Sequence, residues 1–320
     1  MKKNINVGLV GYKFMGKAHS NGLTQLPMFF DTSANVVKKA ICGRDPEWVE
    51  QSRQKFGWES CETSWEKLVA RDDIDVIDIT APSNVHKQIA LAAAEAGKHI
   101  FSEKPLALNT KDAKEMLEAA QKAGVKHQVG FNYRFAPAIV LAKKLIDSGK
   151  IGKIFHFRGS FLQDWIIDPE FPLVWRLDKD VCGSGSHGDL GAHVIDLARY
   201  LVGDFAKVMG MQKTFVTERP IVERMNELWY MSREDEEDLQ GFRLIQASEG
   251  CHNYAANWWP AGHVLGYENT FAHQFYEFYE AIANDKPTCP DFYDGMKCCQ
   301  ILDAVEASVA NRCWINVNEI

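Results

Sequence analysis

Between residues 5 and 130 short apolar runs alternate with helix-patterned stretches, and the connections are only a few residues long. Strand-like runs fall at 5–10, 36–42, 76–80, 99–102 and 125–130, and helical ones at 17–26, 46–56, 84–96 and 110–123. Asp45 stands where a helix N-cap belongs, and Gly97 and Gly124 where helices end. Strands separated by helices pair in parallel through right-handed crossovers, so this part predicts an open parallel sheet with helices on both faces. From about residue 131 the texture changes. A helix is expected over 138–148, a long aromatic strand over 154–162, an amphipathic helix over 188–201 and a second long strand over 207–216. A charge run at 233–238 reads as a solvated loop. Helices over 270–283 and 295–310 and a strand over 314–317 complete the chain. The expectation is an α/β protein: residues 1–130 form a doubly wound parallel domain, and 131–320 an α/β domain with a mostly antiparallel open sheet.

Composition narrows the partners. At 320 residues there is room for two sizeable cores, and 46% hydrophobic with 25% charged residues is ordinary for a globular protein. No run is long enough to span a bilayer, and the chain enters a strand without an apolar leader, so a cytoplasmic location and no membrane partner are expected. The eight cysteines show no CxxC spacing and read as reduced thiols. A net charge of −7 with no basic stripe argues against nucleic acid.

Gly11-Tyr12-Lys13-Phe14-Met15-Gly16 follows the first strand and opens a helix, where a glycine turn can hold a dinucleotide pyrophosphate against backbone N–H groups. The middle glycine of that fingerprint is Lys13, which either crowds the dinucleotide or supplies a cation to it. After the second strand, Gly43 leaves room and Arg44 could pair with a 2′-phosphate, while Asp45 has the alternative task of capping the helix. NAD(H) and NADP(H) both stay open, with a lean to the latter. Thr80, Pro82 and His86 surround the end of the third apolar run, at the carboxyl edge where ligands of such sheets bind; helix capping by Ser83 or Asn84 is the plainer account of that segment. Glu103-Lys104-Pro105 closes the next strand in the same crevice, with Pro105 biasing Lys104 to an extended backbone and Glu103 placed to hold its ammonium. Asp189 and His193 are four apart on one predicted helix face, with Asp196 three further on. A histidine beside a carboxylate suits a general base, although a core histidine bonded to Asp196, or a metal site with His187, would use the same residues. No metal is the expectation. Asp164-Trp165, Trp175-Arg176 and Trp258-Trp259 could form a sugar-binding wall, flat aromatic faces covering the ring while Arg and Asp read hydroxyls.

Taken together these motifs resemble the Gfo/Idh/MocA oxidoreductases over nearly the whole chain, and within them the branch similar to inositol and levoglucosan dehydrogenases. The resemblance implies a Rossmann domain, then an α/β domain whose large open sheet often forms the oligomer interface. It implies that Lys104 contacts cofactor and substrate hydroxyl, that Asp189 orients the substrate, and that His193 accepts the hydroxyl proton as hydride leaves for the nicotinamide. Pro82, His86, Asn132, Tyr133 and Arg134 match positions lining or supporting the crevice. The implied activity is oxidation of a secondary hydroxyl on a cyclic polyol, sugar or sugar derivative. The alternatives are an enzyme of the same family that retains its NAD and cleaves or eliminates a glycosidic group, and a non-catalytic nucleotide- or sugar-binding relic. Two departures bear on this: Lys13, and a block that relatives carry and this chain lacks between Pro220 and Met225. Its loss would shorten the second sheet and put a homo-oligomer built on that sheet in doubt.

Overall fold

The first strand, β1 (Asn4–Val10), is buried from Val7 onward, and every strand that joins it runs parallel to it. The computed structural model describes residues 2–163, 166–171, 173–219 and 267–320. After β1 come α1 (Phe14–Phe29), β2 (Asn35–Cys42), α2 (Pro46–Phe56), β3 (Ser60–Glu62), α3 (Trp65–Val69), β4 (Val76–Ile79), α4 (His86–Glu95), β5 (His99–Ser102), α5 (Thr110–Ala123) and β6 (His127–Val129). The strand order β3-β2-β1-β4-β5-β6 reverses direction at β1, which opens a crevice between the carboxyl ends of β1 and β4. Sequence patterning had missed β3 and α3. Three residues of β3 are too few to show a period, and only pairing with β2 makes them a strand.

The two sheet faces have different cover. Ile77, Ile79 and Ile100 join a core with Ile89, Ala90 and Ala93 of α4 and Met116 and Leu117 of α5. Asp78 pairs in register with Leu9 and Phe101, so this row faces the other side. There Phe271, Phe275, Phe278 and Tyr279, all fully buried, form one stripe of α9 (Tyr267–Ala283) and cover the sheet.

The rest of the chain adds α6 (Pro137–Asp147), α7 (Lys179–Cys182), α8 (Ala192–Leu201), β7 (Lys207–Val208), α9, α10 (Phe292–Asn311) and β8 (Ile315–Asn316). α10 begins with a full capping box at Asp291 and buries Phe292, Cys298, Cys299 and Leu302 into the α4–α5 core. Cys298 and Cys299 are free and buried, as packing residues are. The expected long strands at 154–162 and 207–216 are not formed. Among the described residues, 154–163 form no ladder, and the second stretch keeps only β7, paired antiparallel with β8. An extended run becomes a strand only beside a partner, and among the described residues 154–163 have none. The fold is nevertheless α/β, a six-stranded parallel sheet plus a small antiparallel one. Among the described residues no helix is long and apolar enough to cross a membrane.

The chain divides into two compact units. One takes Met1–Phe161, Trp175–Lys213 and Glu268–Ile320, and holds the sheet and every site residue described below. The other takes Leu162–Val174 and Thr214–Tyr267. Within it the Arg219 guanidinium donates to the carbonyls of Ile166, Asp168 and Phe171 at 2.6–3.1 Å.

Candidate active site

The turn after β1 is set by close packing. Gly11 has φ +113°, and a Cβ there would stand 2.6 Å from Thr80 Oγ1; one on Gly16 would stand 2.2 Å from the Gly11 carbonyl oxygen. Thr80 ties the turn to β4, its hydroxyl reaching the carbonyls of Val10 and Gly11 at 2.9 and 3.2 Å. Lys13 precedes α1 at φ −76° and is exposed, so the backbone itself has no need of glycine there. No side chain caps α1. Its first N–H groups and the half-buried Phe14 and Met15 are thus placed as a bound pyrophosphate requires, and the residues fit a dinucleotide. At the end of β2 the Tyr12 ring lies where a Cβ on Gly43 would be, 2.1 Å from it. Asp45 is the helix cap, accepting from the N–H groups of Glu47 and Trp48 at 3.0 Å, which leaves Arg44 exposed beside it.

At the end of β5 the Lys104 ammonium donates to the Asp189 carbonyl at 2.6 Å and to Asp189 Oδ1 at 2.9 Å. Glu103, expected to hold that ammonium, turns inward instead and bonds the His19 ring at 3.0 Å. A carboxylate buried that deeply needs a polar partner, and the buried His19 imidazole is within reach. Asp189 lies in a five-residue π-helical stretch, His187–Gly191, that leads directly into α8 and His193. Burial pushes the Asp189 carboxyl up. Lys104, by charge and hydrogen bond, then Arg176 and His193, outweigh it and hold the group below its ordinary value. His193 is buried against Tyr133, Phe161 and Phe131, with ring centroids 4.6, 5.9 and 6.4 Å away. Burial, and then the charge of Asp189, push the Tyr133 phenol up to about 12. Arg176 stands with its guanidinium 5.9 Å from the Phe14 ring centroid, between Asp189 and the start of α1.

Lys104, Asp189, His193, Tyr133 and Arg176 are therefore brought together, while other expected site residues serve beneath. Arg134 does not line the crevice. It is buried in a bidentate pair with Asp196 and reaches Asp294, so the carboxylate that could have bonded His193 is occupied. His86 is likewise buried, its ring nitrogens 2.8 Å from the Ala81 carbonyl oxygen and 3.1 and 3.3 Å from those of Pro105 and Leu106. It braces two strand ends, and burial holds its pKa below the usual value. Pro82 opens a short 3-10 turn, and neither Ser83 nor Asn84 caps it or α4. Asn132 donates to Thr270 Oγ1 at 2.7 Å and anchors α9. Asp164, Trp165, Trp258 and Trp259, the Trp175 side chain and the block after Pro220 lie outside the described residues.

Sequence reasoning overlooked His19 and Asp78. The signal was present: an aspartate inside the otherwise apolar run Val76–Ile79 has to be paired, and a histidine on the apolar face of α1 is a candidate partner.

Comparison with known proteins follows the same outline. Residues 5–131 match the oxidoreductase family with an NAD-binding Rossmann fold, GFO_IDH_MocA, and residues 139–246 match the GFO/IDH/MocA C-terminal domain. Levoglucosan dehydrogenase of Pseudarthrobacter phenanthrenivorans is 35% identical over 388 positions, covering 99% of this chain and 99% of that protein. The scyllo-inositol 2-dehydrogenase (NAD(+)) of Bacillus subtilis is 28% identical, covering 91% of this chain and 82% of the other. A solved structure of levoglucosan dehydrogenase in complex with NADH and levoglucosan superposes with a TM-score of 0.84 at 36% identity, covering 99% of this chain and 100% of that one.

Proposed function

The chain belongs to the Gfo/Idh/MocA oxidoreductase family, and from that premise we propose that this NAD(P)-dependent dehydrogenase oxidises a secondary hydroxyl of a cyclic polyol, sugar or sugar derivative. The observation that carries the proposal is the Lys104 ammonium held against Asp189 at the end of β5, with His193 one helical turn further on. Gly11 to Gly16 would hold the pyrophosphate, with Lys13 at its rim, and Gly43 and Arg44 the adenosine end. Bound NAD(P) supplies the hydride acceptor, at its nicotinamide ring. Lys104 donates a hydrogen bond to the substrate oxygen and stabilises negative charge growing on it. His193 takes the hydroxyl proton as general base, and the reverse reduction returns it. Asp189, ionised through the neutral range, fixes the Lys104 ammonium and orients the sugar ring. Tyr133 keeps its phenol proton and can donate to a second hydroxyl, while Arg176 is placed to read substrate oxygens on the cofactor side.

The relatives' substrates, an anhydrosugar and a cyclitol, support a ring-shaped polyol. We assign residues 1–130 to cofactor binding and 131–320 to substrate binding. A comparison running over 388 positions against 320 residues supports a shortened second domain.

The test is a fluorescence titration with NADH and NADPH, followed by a screen of anhydrosugars and inositols for absorbance at the nicotinamide band. Saturable binding and turnover of at least one ring polyol are expected. A folded protein that binds neither dinucleotide refutes the proposal.

A further inference from the structure

Beneath the strand ends lies a charged cluster that hydride transfer does not itself use. His19 comes from α1, Asp78 from the middle of β4 and Glu103 from the residue after β5, and the His19 and Asp78 side chains are wholly inaccessible. The imidazole Nδ1 is 2.9 and 3.0 Å from the two Asp78 oxygens, and Nε2 is 3.0 Å from Glu103 Oε1. Both ring nitrogens face carboxylate oxygens, an arrangement that a doubly protonated imidazolium satisfies. Phe101, Phe271 and Phe275 close around the ring at centroid distances of 5.1–5.5 Å, which places these ionic hydrogen bonds in an apolar surround. Burial opposes the charge, but Asp78 and then Glu103 outweigh it and lift the imidazole to about 9.

Stability alone is a poor reason for such a cluster, because apolar residues of the same volume usually do as well or better. Its position supplies a better one. Glu103 Oε2 accepts the backbone N–H of Lys104 at 3.2 Å, while the Glu103 N–H is held by the Ile79 carbonyl at 2.9 Å. Pinning Oε1 to the imidazolium therefore fixes the other oxygen, and with it the peptide from which the Lys104 side chain departs. Gly130 belongs to the same arrangement, since a Cβ there would stand 2.5 Å from Glu103 Oε1.

We propose that His19 is a positioning residue for Lys104: by clamping Glu103, it fixes the backbone that carries the ammonium to Asp189. The consequence for turnover rests on the dehydrogenase reading above; the positioning itself can be measured without it.

The experiment uses the full-length chain and the variants H19A, E103A and E103Q. Lysines are labelled by reductive methylation and located by peptide mass spectrometry. Lys98, buried and donating to the Arg71 and Ile74 carbonyls, serves as an internal reference away from the cluster. In H19A and E103A, Lys104 should label about fivefold faster, the equilibrium weight of one lost hydrogen bond, while Lys98 does not change. E103Q keeps an oxygen for the Lys104 N–H, and its amide NH2 donates to Nε2 once the ring gives up the proton there, so it should label like the parent. Turnover should fall about 100-fold in H19A and E103A with NADH affinity preserved, and recover in E103Q. Unchanged Lys104 labelling in folded E103A overturns the inference. So does a parallel rise at Lys98, which marks general loosening, or an E103Q as impaired as E103A. If H19A does not fold, the comparison of E103A with E103Q decides. If labelling behaves as expected while the parent oxidises no polyol, the positioning stands and the dehydrogenase reading falls.

Discussion

Replacing Arg134 by methionine removes a buried charge under the helix that carries His193 while keeping most of the side-chain stem. The Arg134 and Asp196 side chains are 4% and 2% exposed, and two bonds of 2.8 and 2.5 Å join them. The guanidinium also reaches Asp294 at 3.2 Å and lies 4.7 Å from the Tyr200 ring centroid. In R134M the Asp196 carboxylate has lost its main partner, and breaking a buried pair in this way costs about 3–5 kcal/mol. The size of the loss depends on pH in a definite direction. Burial already pushes the Asp196 carboxyl up to about 6 against the pull of Arg134, and without Arg134 it climbs further. A carboxyl whose folded pKa lies above its unfolded value of about 4 contributes stability fully below that value and loses it as pH rises through the folded one. The destabilisation should therefore be largest near pH 8 and shrink toward pH 5 as the carboxyl takes up a proton. Urea unfolding followed by circular dichroism at the two pH values measures it. The double variant R134M/D196L should recover most of the loss, because it leaves no charge unpaired. A loss below about 1 kcal/mol at pH 8 refutes the argument, since an exposed ion pair contributes up to that much and a buried one should cost more. A loss of equal size at both pH values, or no recovery in the double variant, refutes it as well.

Lys104→Ala should lower kcat by about 100- to 1000-fold, as loss of one preorganised charge donor does, with the unfolding midpoint little changed; near-normal kcat removes Lys104 from the reaction. His193→Ala should abolish most turnover and flatten the dependence of the residual rate on pH near neutrality, and an unaltered pH profile would assign the proton to another group. Lys13→Gly should change NADH or NADPH affinity in the fluorescence titration, and no change in either means that the turn does not hold the pyrophosphate. Gly11→Ala should destabilise by more than about 1 kcal/mol in urea, because the residue sits at φ +113° against Thr80; a neutral effect would mean that the turn relaxes.

The parallel sheet was legible because β1, β4 and β5 are largely buried on both faces and therefore read as predominantly apolar runs. That Lys104 stands just after a strand and Asp189 where a helical stretch begins was legible for a related reason, since proline and glycine mark such boundaries. What could not be read was which partner each charge would choose. Glu103 is adjacent to Lys104 in sequence, yet it bonds His19, which is 84 residues away. Arg134 sits beside Tyr133, yet it is Tyr133 that meets His193, because the guanidinium is held by the carboxylates of Asp196 and Asp294. Pairing in an apolar interior follows three-dimensional proximity and desolvation, and neither leaves a periodic trace. The expected strand over 154–162 finds no partner among the described residues for the same kind of reason, since an aromatic run suits a strand but does not say whether a neighbour pairs with it.

Two buried ion clusters thus support the elements that carry one small polar site. His19, Asp78 and Glu103 lie under Lys104, while Arg134, Asp196 and Asp294 lie under the helix that begins at Ala192. An apolar layer in either place would pack as well, but it would tolerate small slides of one element over another, because dispersion contacts have no preferred direction. Bidentate and bridging ionic hydrogen bonds do not tolerate them, since a slide large enough to break one leaves a charge unpaired in a low dielectric. In the proposed reaction the substrate oxygen has to meet the Lys104 ammonium and the His193 imidazole at once, and misplacing either by about 1 Å costs up to 100-fold in rate. The clusters are therefore better explained by the tolerance of that geometry than by the stability of the fold. The explanation has a consequence that separates it from a purely structural role: R134M/D196L, restored in stability, should still be slower than the parent in kcat.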